Sequence, residues 1–302
     1  MSEFNSWDQL KHAESWLLYP KNIGPYLSID ETALTRGELY TIITNKSAKG
    51  KKGALVAIIA GTNAEYINSI LGRIPLKTRR RVEEITLDMA PSMNLVARKS
   101  FPTAVRVTDR FHVQKLALEA VQQLRIKHRW EAIDKENEAI EKAKRHKKRY
   151  RPIIHDNGDT TRQLLARSMY ILYKKEKDWT LNQRQRAGLL FELYPDVFEA
   201  YQLSQKLSWI FEKTKKKIYG YTRLAQWHEQ VDQSGLKTFN TVSRTIKNHY
   251  PTILNYFDNR NTNASAESFN AKIKAFRAQF RGVRNGSRQK PVEHNLRKNY
   301  NL

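Results

Sequence analysis

Three acidic side chains occupy positions from which they could bind divalent metal ions. Asp30 ends the apolar run that begins at Tyr26, and Asp88 ends the one that begins at Ile85, whereas Glu267 opens a basic segment with helical spacing. A carboxylate at the end of a buried strand is costly unless something pairs with it. Two metal ions held by carboxylates can activate a water or a hydroxyl and stabilise the leaving oxygen of a phosphodiester. The three acids are therefore candidate catalytic residues and candidate metal ligands.

The charge of the chain indicates a nucleic-acid partner. Its 302 residues include 54 Lys and Arg against 30 Asp and Glu, which gives a formal net charge of +24. Such an excess is the electrostatic footprint of proteins that bind nucleic acid. A ribosomal-type protein or a generally basic surface would give the same excess, so charge alone does not select an enzyme.

Composition also excludes several classes of protein. Hydrophobic residues make up 40% of the chain, enough for a packed core in one large domain or two ordinary ones. Cysteine is absent, which excludes disulfides and cysteine-based zinc sites. No stretch is long and apolar enough to span a membrane, and the residues after Met1 are polar rather than secretory. We expect a cytosolic protein that faces nucleic acid and has no membrane partner.

The apolar pattern of the first third predicts an α/β fold. Strand patterns cover residues 26–34, 38–45, 54–60, 82–89 and 104–108, and helix patterns follow residue 62 and cover 91–99. This order is typical of an RNase H-like fold, a mixed sheet with flanking helices. The first and fourth strands of that fold lie side by side at the sheet centre. Asp30 and Asp88, 58 residues apart in the sequence, would then meet.

Helical patterns replace strand patterns after residue 112. One helical face is marked by Leu164, Leu165, Met169 and Leu172, and further faces follow up to about residue 256. The predicted organisation is a short N-terminal segment over 1–25, the first part of the RNase H-like core over 26–112 and a large all-α insertion over 113–258. The core then resumes over 259–285 with the helix that carries the catalytic Glu, and 286–302 form a basic tail.

The segment from 267 to 280 is predicted to be a helix with two distinct faces. Phe269, Ile273, Phe276 and Phe280 recur at helical spacing and should face a core, while Glu267 lies on the opposite side. Basic residues on and after this helix are predicted to bind DNA phosphates, namely Lys272, Lys274, Arg277, Arg281 and Arg284. An acid in the first turn also suits the helix dipole. Taken alone, the helix favours this simpler interpretation of Glu267.

Three motifs together resemble the DDE transposases of the bacterial ISL-three insertion-sequence family. They are Leu87-Asp-Met-Ala-Pro-Ser-Met, the stretch from Phe101 to Lys115 that contains Thr-Asp-Arg-Phe-His, and Asn261-Thr-Asn-Ala-Ser-Ala-Glu-Ser-Phe-Asn. Their order and spacing match over roughly residues 27 to 285. The resemblance implies an RNase H-like catalytic domain interrupted by a helical insertion between the second Asp and the Glu. It further implies cleavage and strand transfer at insertion-sequence ends with two Mg²⁺ or Mn²⁺ ions, and a catalytic triad of Asp30, Asp88 and Glu267.

The choice of the second acid stays open, because Asp109 also follows a predicted strand. Asp88 is preferred, since its strand should neighbour the one that carries Asp30. Asp109 and His112 then resemble the Asp-x-x-His element that several transposase groups have after the second catalytic acid. His112 either orients the DNA or the site, or is a packed histidine at the start of a helix. Glu31 should point away from Asp30 by strand alternation and so should not share its metals.

The resemblance also implies partners. The substrates would be double-stranded DNA, both transposon ends and target, and the two ends would be held together by a homo-oligomer in a synaptic complex. Members of the family usually have a zinc finger and a helix-turn-helix before the catalytic domain, whereas fewer than thirty residues precede Asp30 here. We therefore expect a separate DNA-recognition protein or the insertion to supply end recognition. The expected location is the bacterial cytoplasm, in association with the nucleoid.

Two other functions fit the same residues. The first is a non-catalytic basic DNA- or RNA-binding protein, including a decayed transposase that retains only its charge. The second is a free-standing RNase H-like nuclease that hydrolyses structured nucleic acid. A binding protein would form no metal-dependent product, and a free-standing nuclease would hydrolyse without joining.

Overall fold

A mixed six-stranded sheet forms from the first part of the chain. In the computed structural model, which describes residues 8–35 and 38–278, its strands are β1 (Trp16–Leu18), β2 (Tyr26–Thr35), β3 (Glu38–Asn45), β4 (Leu55–Ala60), β5 (Glu84–Leu87) and β6 (Val105–Thr108). The strand order is β1-β4-β3-β2-β5-β6. β2 pairs with β5, and β5 with β6, in parallel, while the other neighbours are antiparallel. This is the predicted RNase H-like sheet. The first and fourth strands of the prediction correspond to β2 and β5, which lie side by side.

The hydrophobic residues of the strands explain why the sheet is covered on both faces. One face packs Leu27, Ile29 and Ile43 against two short helices, α1 (Ala64–Leu71) and α3 (Pro91–Ser100). Between them lies α2 (Leu76–Arg79), which buries no residue. α1 contributes Ile67, Ile70 and Leu71, and α3 contributes Met93 and Val96. Their helical spacing places them on a single side of each helix, and their burial fixes that side to the sheet.

A compact helical unit, Val113–Tyr250, separates the two parts of the sheet unit in the sequence. Most of α4 (Arg110–Arg145) lies in it, followed by α5 (Thr161–Arg167), α6 (Leu181–Leu193), α7 (Pro195–Lys213), α8 (Lys217–Ser234) and α9 (Lys237–Asn248). Thr160 and Thr180 form capping boxes with Gln163 and Gln183 at the starts of α5 and α6, which satisfies backbone N–H groups there. Within the described part of the chain, no helix is long and apolar enough to cross a membrane.

The sheet unit resumes after the helical unit. It continues through α10 (Tyr250–Leu254), α11 (Tyr256–Asn259) and α12 (Ala264–Ala278). α12 covers the second face of the sheet, where Phe269 and Ile273 pack in one cluster with Ile42 and Leu55. The predicted inward face of this helix is thus confirmed for Phe269 and Ile273. The side chain of Phe276, and Phe280 altogether, lie outside the described residues.

Two short elements were not predicted. β1 is only three residues long and pairs with β4, and α2 has four residues. β5 is also shorter than the strand predicted over 82–89, because Arg81 and Glu83 at its start are exposed and Asp88 and Met89 leave the ladder at its end. β4 has side chains in the clusters on both faces of the sheet, Ala57 and Ile59 on one and Leu55 on the other, which explains its continuous apolar sequence.

Candidate active site

Three carboxylates lie on or directly after three neighbouring parallel strands: Asp30 is in β2, Asp88 follows β5 and Asp109 follows β6. Tyr26 of β2 lies opposite Glu84 of β5, an offset of 58 residues, and the offset between β5 and β6 is 21 residues. The same offsets relate Asp30 to Asp88 and Asp88 to Asp109. The register therefore places these acids at equivalent positions, where β5 and β6 end. This explains why both Asp88 and Asp109 are plausible partners of Asp30 in the sequence.

Asp30 is the central member of the candidate site and contacts α12. Its Oδ2 atom accepts a hydrogen bond from the Asn270 side-chain amide at 2.5 Å. Burial raises the pKa of Asp30, and the charge of Asp88 adds to this. The charge of His112, the backbone N–H of Glu31 and the amide of Asn270 oppose the rise without cancelling it. Burial therefore favours the protonated form of Asp30, and these neighbours do not fully offset that effect.

Asp88 is half-buried at the end of β5. Its Oδ1 atom accepts a hydrogen bond from the backbone N–H of Ala90 at 2.9 Å, which fixes the carboxylate just before α3. The charge of Asp88 also raises the pKa of Glu31, where burial is the larger cause and Asp30 a smaller one. Glu31 thus lies in the electric field of both acids, although strand alternation directs it away from Asp30.

Asp109 is the most deeply buried of these three acids, with 0% of its surface exposed. It precedes α4, and its Oδ1 atom accepts a long hydrogen bond from the backbone N–H of Phe111 at 3.4 Å. Its Oδ2 atom has no hydrogen-bond partner among the residues that the structure describes. Burial raises the pKa of Asp109, against the opposing effects of the Phe111 N–H, the charge of His112, the Asn263 N–H and the charge of Arg110. A buried oxygen left without a partner calls for a physical explanation, such as a missing ligand.

Glu267 occupies the first turn of α12, where its backbone N–H donates to the carbonyl of Asn263 at 2.9 Å. The side chain is exposed, yet the protein atoms around its carboxyl group raise its pKa. The charges of Asp109 and Asp30 raise this pKa further, and that of His112 lowers it. The fold therefore brings the predicted third acid into the field of the acids on the sheet.

His112 faces the same group of acids from the first turn of α4. It is half-buried, and its charge lowers the pKa values of Asp30, Asp109 and Glu267. No other candidate residue acts on all three of these carboxylates in the described part of the chain. This position suits a residue that supports an acidic site, and it also suits a histidine packed at a helix start, so both interpretations stay open.

The acids interact electrostatically, but the described residues do not form a complete metal-binding site. Among the described residues, no three His, Cys, Asp or Glu side chains are gathered closely enough to hold one ion. The donor chemistry nevertheless fits a hard divalent cation, because carboxylate oxygens are the ligands that Mg²⁺ prefers. The open Oδ2 atom of buried Asp109 and the raised pKa of Asp30 are further features that a cation would relieve.

The predicted DNA-binding residues have different surroundings. Lys272 is exposed and donates a hydrogen bond to the backbone carbonyl of Gly50 at 3.2 Å, so part of its capacity is used within the protein. Lys274 is exposed on the same helix. The side chain of Arg277, and Arg281 and Arg284 altogether, lie outside the described residues.

The sequence did not reveal a buried ionic network beneath the site. Glu84, on the strand that leads to Asp88, accepts hydrogen bonds from Lys46 at 3.1 Å, Asn261 at 2.9 Å and Asn259 at 3.0 Å. Burial lowers the pKa of Lys46, and the charge and hydrogen bond of Glu84 oppose this. The two asparagines belong to the segment that leads into α12, so the network ties the start of that helix to the sheet.

Asn270 is the second feature that the sequence did not single out. The helical spacing placed it on the face of α12 that carries Glu267, which was the available signal. Its partner Asp30, however, lies 240 residues away in the sequence. Only the fold shows that the helix contributes an amide as well as an acid to the site.

The comparisons with known proteins agree with this architecture. Neither the search of curated proteins nor that of solved structures gives a significant match. A family profile described as Transposase, that of the ISL-three DDE transposases, matches residues 27–289. This region contains the whole described sheet except β1, together with Asp30, Asp88 and Asp109, the helical unit and α12. The chain therefore belongs to the ISL-three family of DDE transposases.

Proposed function

We propose that this protein is the catalytic subunit of a DNA transposase that cleaves insertion-sequence ends and joins them to target DNA. The supporting observation is that Asp30 on β2 interacts electrostatically with Asp88, which directly follows the adjacent parallel strand β5, while the Glu267 helix packs on the same sheet. Acids on separate elements converge in this way only because the strand register and the helix packing bring them together. Family membership supports transposition in general, and the acidic site supports the metal-dependent chemistry.

In this proposal Asp30, Asp88 and Glu267 hold two Mg²⁺ or Mn²⁺ ions. Such ions supply an activated hydroxyl and stabilise the leaving oxygen when they are bound. The contribution of the chain is to fix the carboxylates on rigid elements, namely two paired strands and a helix. Asp109 and His112 support the site, since the interaction with His112 lowers the pKa of three acids and Asp109 caps α4 beside them.

Asp109 is the alternative second acid. Its buried, unpartnered Oδ2 atom and its effect on the pKa of Glu267 favour it. We place Asp88 first because β5 pairs directly with β2, whereas β6 lies one strand further from Asp30. Exchanging each acid separately distinguishes the two assignments.

The partner in this proposal is double-stranded DNA, both as transposon ends and as target. The net charge of +24 and exposed Lys274 provide the attraction, so binding should weaken steeply as salt rises. Synapsis of two ends requires a homo-oligomer, and a separate protein is a candidate source of end recognition. A cytoplasmic, nucleoid-associated location follows from these partners.

The test is a cleavage and strand-transfer assay on supercoiled and end-bearing DNA, with Mg²⁺ or Mn²⁺ compared against EDTA. The variants are Asp88→Asn and Asp109→Asn, with Glu83→Gln as a matched control because Glu83 is an exposed acid next to β5. We expect a metal-dependent product that is lost in Asp88→Asn and kept in the control. Loss in Asp109→Asn with activity kept in Asp88→Asn would move the second acid to Asp109.

A non-catalytic DNA-binding protein is the second candidate function. It is favoured by the observation that no three metal-binding side chains are gathered among the described residues. It predicts DNA binding without any metal-dependent product, under the same conditions and with a folded protein. Hydrolysis without joining would instead identify a free-standing nuclease.

A further inference from the structure

Asn270 is a buried amide that contacts the first acid directly. It lies one helical turn after Glu267 on α12, and only 5% of its surface is exposed. Its Nδ2 atom donates to Oδ2 of Asp30 at 2.5 Å. The same turn of helix therefore carries the third acid and a hydrogen-bond donor to the first.

The amide has a cost as well as a benefit in the folded chain. Its hydrogen bond lowers the pKa of Asp30, but its own Oδ1 atom is buried and has no hydrogen-bond partner in the part of the chain that the structure describes. A buried polar atom without a partner costs about 1–3 kcal/mol. Its helix neighbours Phe269 and Ile273 bury apolar surface in the adjoining cluster. A half-satisfied amide that lies beside apolar residues and touches a candidate catalytic acid suggests a functional role.

The chemistry of the donor is the second clue. Two buried acids away from the candidate site pair with cations, Glu84 with Lys46 and Asp159 with Arg186. A cation would neutralise the charge that a metal ligand needs, whereas an amide fixes the carboxylate and leaves its negative charge intact. The Asn270 amide and the backbone N–H of Glu31 use only part of the acceptor capacity of the Asp30 carboxylate, so lone pairs stay available to a metal ion. Hydrogen bonds to the ligands of a metal typically strengthen metal binding by about 10–100-fold.

We infer that Asn270 is a positioning residue that orients the Asp30 carboxylate for a divalent cation. This inference rests on the proposed function, because it assigns a role toward the metal site. The arrangement also couples two ligands, since any movement of α12 that displaces Glu267 displaces the amide that holds Asp30. Asn270 does not touch the reacting DNA in this role and acts through Asp30.

The test measures Mn²⁺ binding by electron paramagnetic resonance on the full chain, in parallel with strand transfer at several Mn²⁺ concentrations. Asn270→Leu replaces the amide by an apolar group with the same branching, and Asn270→Ala removes it with a cavity. Asn68→Ala is the matched control, because Asn68 is a helical asparagine of the same unit that bonds Ala64 at 2.7 Å and Ser100 at 2.6 Å. Urea unfolding of each variant separates loss of metal from loss of fold.

We expect Asn270→Leu to remain folded in the absence of urea and to bind Mn²⁺ about 10–100-fold more weakly than the wild type. Strand transfer should be impaired at low Mn²⁺ and largely restored at high Mn²⁺, which a general structural defect would not give. Asn68→Ala should lose stability and keep its Mn²⁺ affinity. The leucine variant keeps the experiment decisive if Asn270→Ala fails to fold.

Unchanged Mn²⁺ affinity in Asn270→Leu would overturn the inference, as would equal weakening in Asn68→Ala. Failure of the proposed function gives a different result. In that case the wild type would bind no more Mn²⁺ than Asp30→Asn and would form no metal-dependent product, whatever residue occupies position 270.

Discussion

Two buried carboxylates, one in each unit, have opposite surroundings. Asp159 in the helical unit is 1% exposed and accepts hydrogen bonds from Arg167 and, at 2.7 Å, from Arg186. Burial acts to raise the pKa of Asp159, but the hydrogen bonds and charges of the two arginines outweigh it and hold this pKa below its usual value. Asp109 in the sheet unit is 0% exposed, keeps one oxygen without a described partner, and has a raised pKa.

The difference separates a stabilising acid from one that is available for a ligand. At Asp159 both oxygens have cationic partners, so the folded chain itself supplies the compensation for burial. At Asp109 and Asp30 that compensation is incomplete, which is a cost that natural proteins retain mainly at functional sites. The helical unit thus shows how this protein treats a buried acid that serves only the fold.

The largest expected effect is on strand-transfer activity, which should distinguish Asp30 from Asp159. Asp30→Asn should reduce metal-dependent strand transfer at least about a thousandfold, because a metal ion contributes several kcal/mol and each 1.36 kcal/mol is about tenfold in rate. Asp159→Asn should retain activity at temperatures where the chain stays folded. The assay of the proposed function measures both. Equal loss in the two variants, with both folded, would remove the distinction between the sites.

The next effect concerns stability in the helical unit. Arg186→Met should lower the free energy of unfolding by about 3 kcal/mol, because it leaves buried Asp159 with a single, more exposed arginine partner. Arg184→Met is the control, since Arg184 is exposed on the same helix. Urea unfolding followed by circular dichroism gives both values. Similar small losses in the two variants would show that the Asp159 cluster is not stabilising.

A smaller effect on stability, of opposite sign, is expected for Asp109 in the sheet unit. Asp109→Asn should leave stability unchanged or raise it by about 1 kcal/mol, because asparagine also caps helices and carries no charge that must be buried. Asp159→Asn should lower it, since two arginines would lose their acceptor charge. The comparison is made by urea unfolding in EDTA at neutral pH. A clear loss of stability in Asp109→Asn would mean that Asp109 is a structural acid like Asp159.

The smallest effect is the pH dependence, whose sign differs between the two acids. The pKa of Asp159 is lowered in the folded chain, so its stabilising contribution is full above the usual value of 3.8 and is lost as pH falls through the folded pKa. The pKa of Asp109 is raised, so its destabilising contribution is present above the folded pKa and disappears as pH falls from there toward 3.8. Stability differences between the wild type and each Asn variant, measured in EDTA across this range, should change in opposite directions.

The sequence predicted the elements that depend on local pattern. Apolar alternation identified β2 and β3, and helical spacing identified α12 with its buried Phe269 and Ile273. The order of the elements also predicted that β2 and β5, the strands on and after which Asp30 and Asp88 lie, are neighbours in the sheet. These features are encoded within short stretches or by the order of elements, and both can be read along the chain.

Features that depend on distant partners escaped the sequence. β1 is three residues long and exists through its pairing with β4. The buried network of Glu84 depends on Asn259 and Asn261, which are 175 and 177 residues away. Lys272 was predicted to bind phosphate on charge alone, whereas the fold gives it a carbonyl at Gly50. Neither the periodicity of apolar residues nor secondary-structure propensity specifies such pairs. The assignments of catalytic residues and of domain boundaries stay predictions.

The long separation between Glu84 and Asn261 has a consequence for folding during synthesis on the ribosome. During synthesis, the strands that carry Asp30 and Asp88 leave the exit tunnel well before the segment that ties α12 to them. At about 5–20 residues per second, the intervening 177 residues correspond to a delay on the order of 10 s or more. The helical unit can fold in that interval, since its contacts are internal. A nascent or prematurely terminated chain would therefore carry two acids of the proposed triad without the third, and should be unable to cut the DNA of its host.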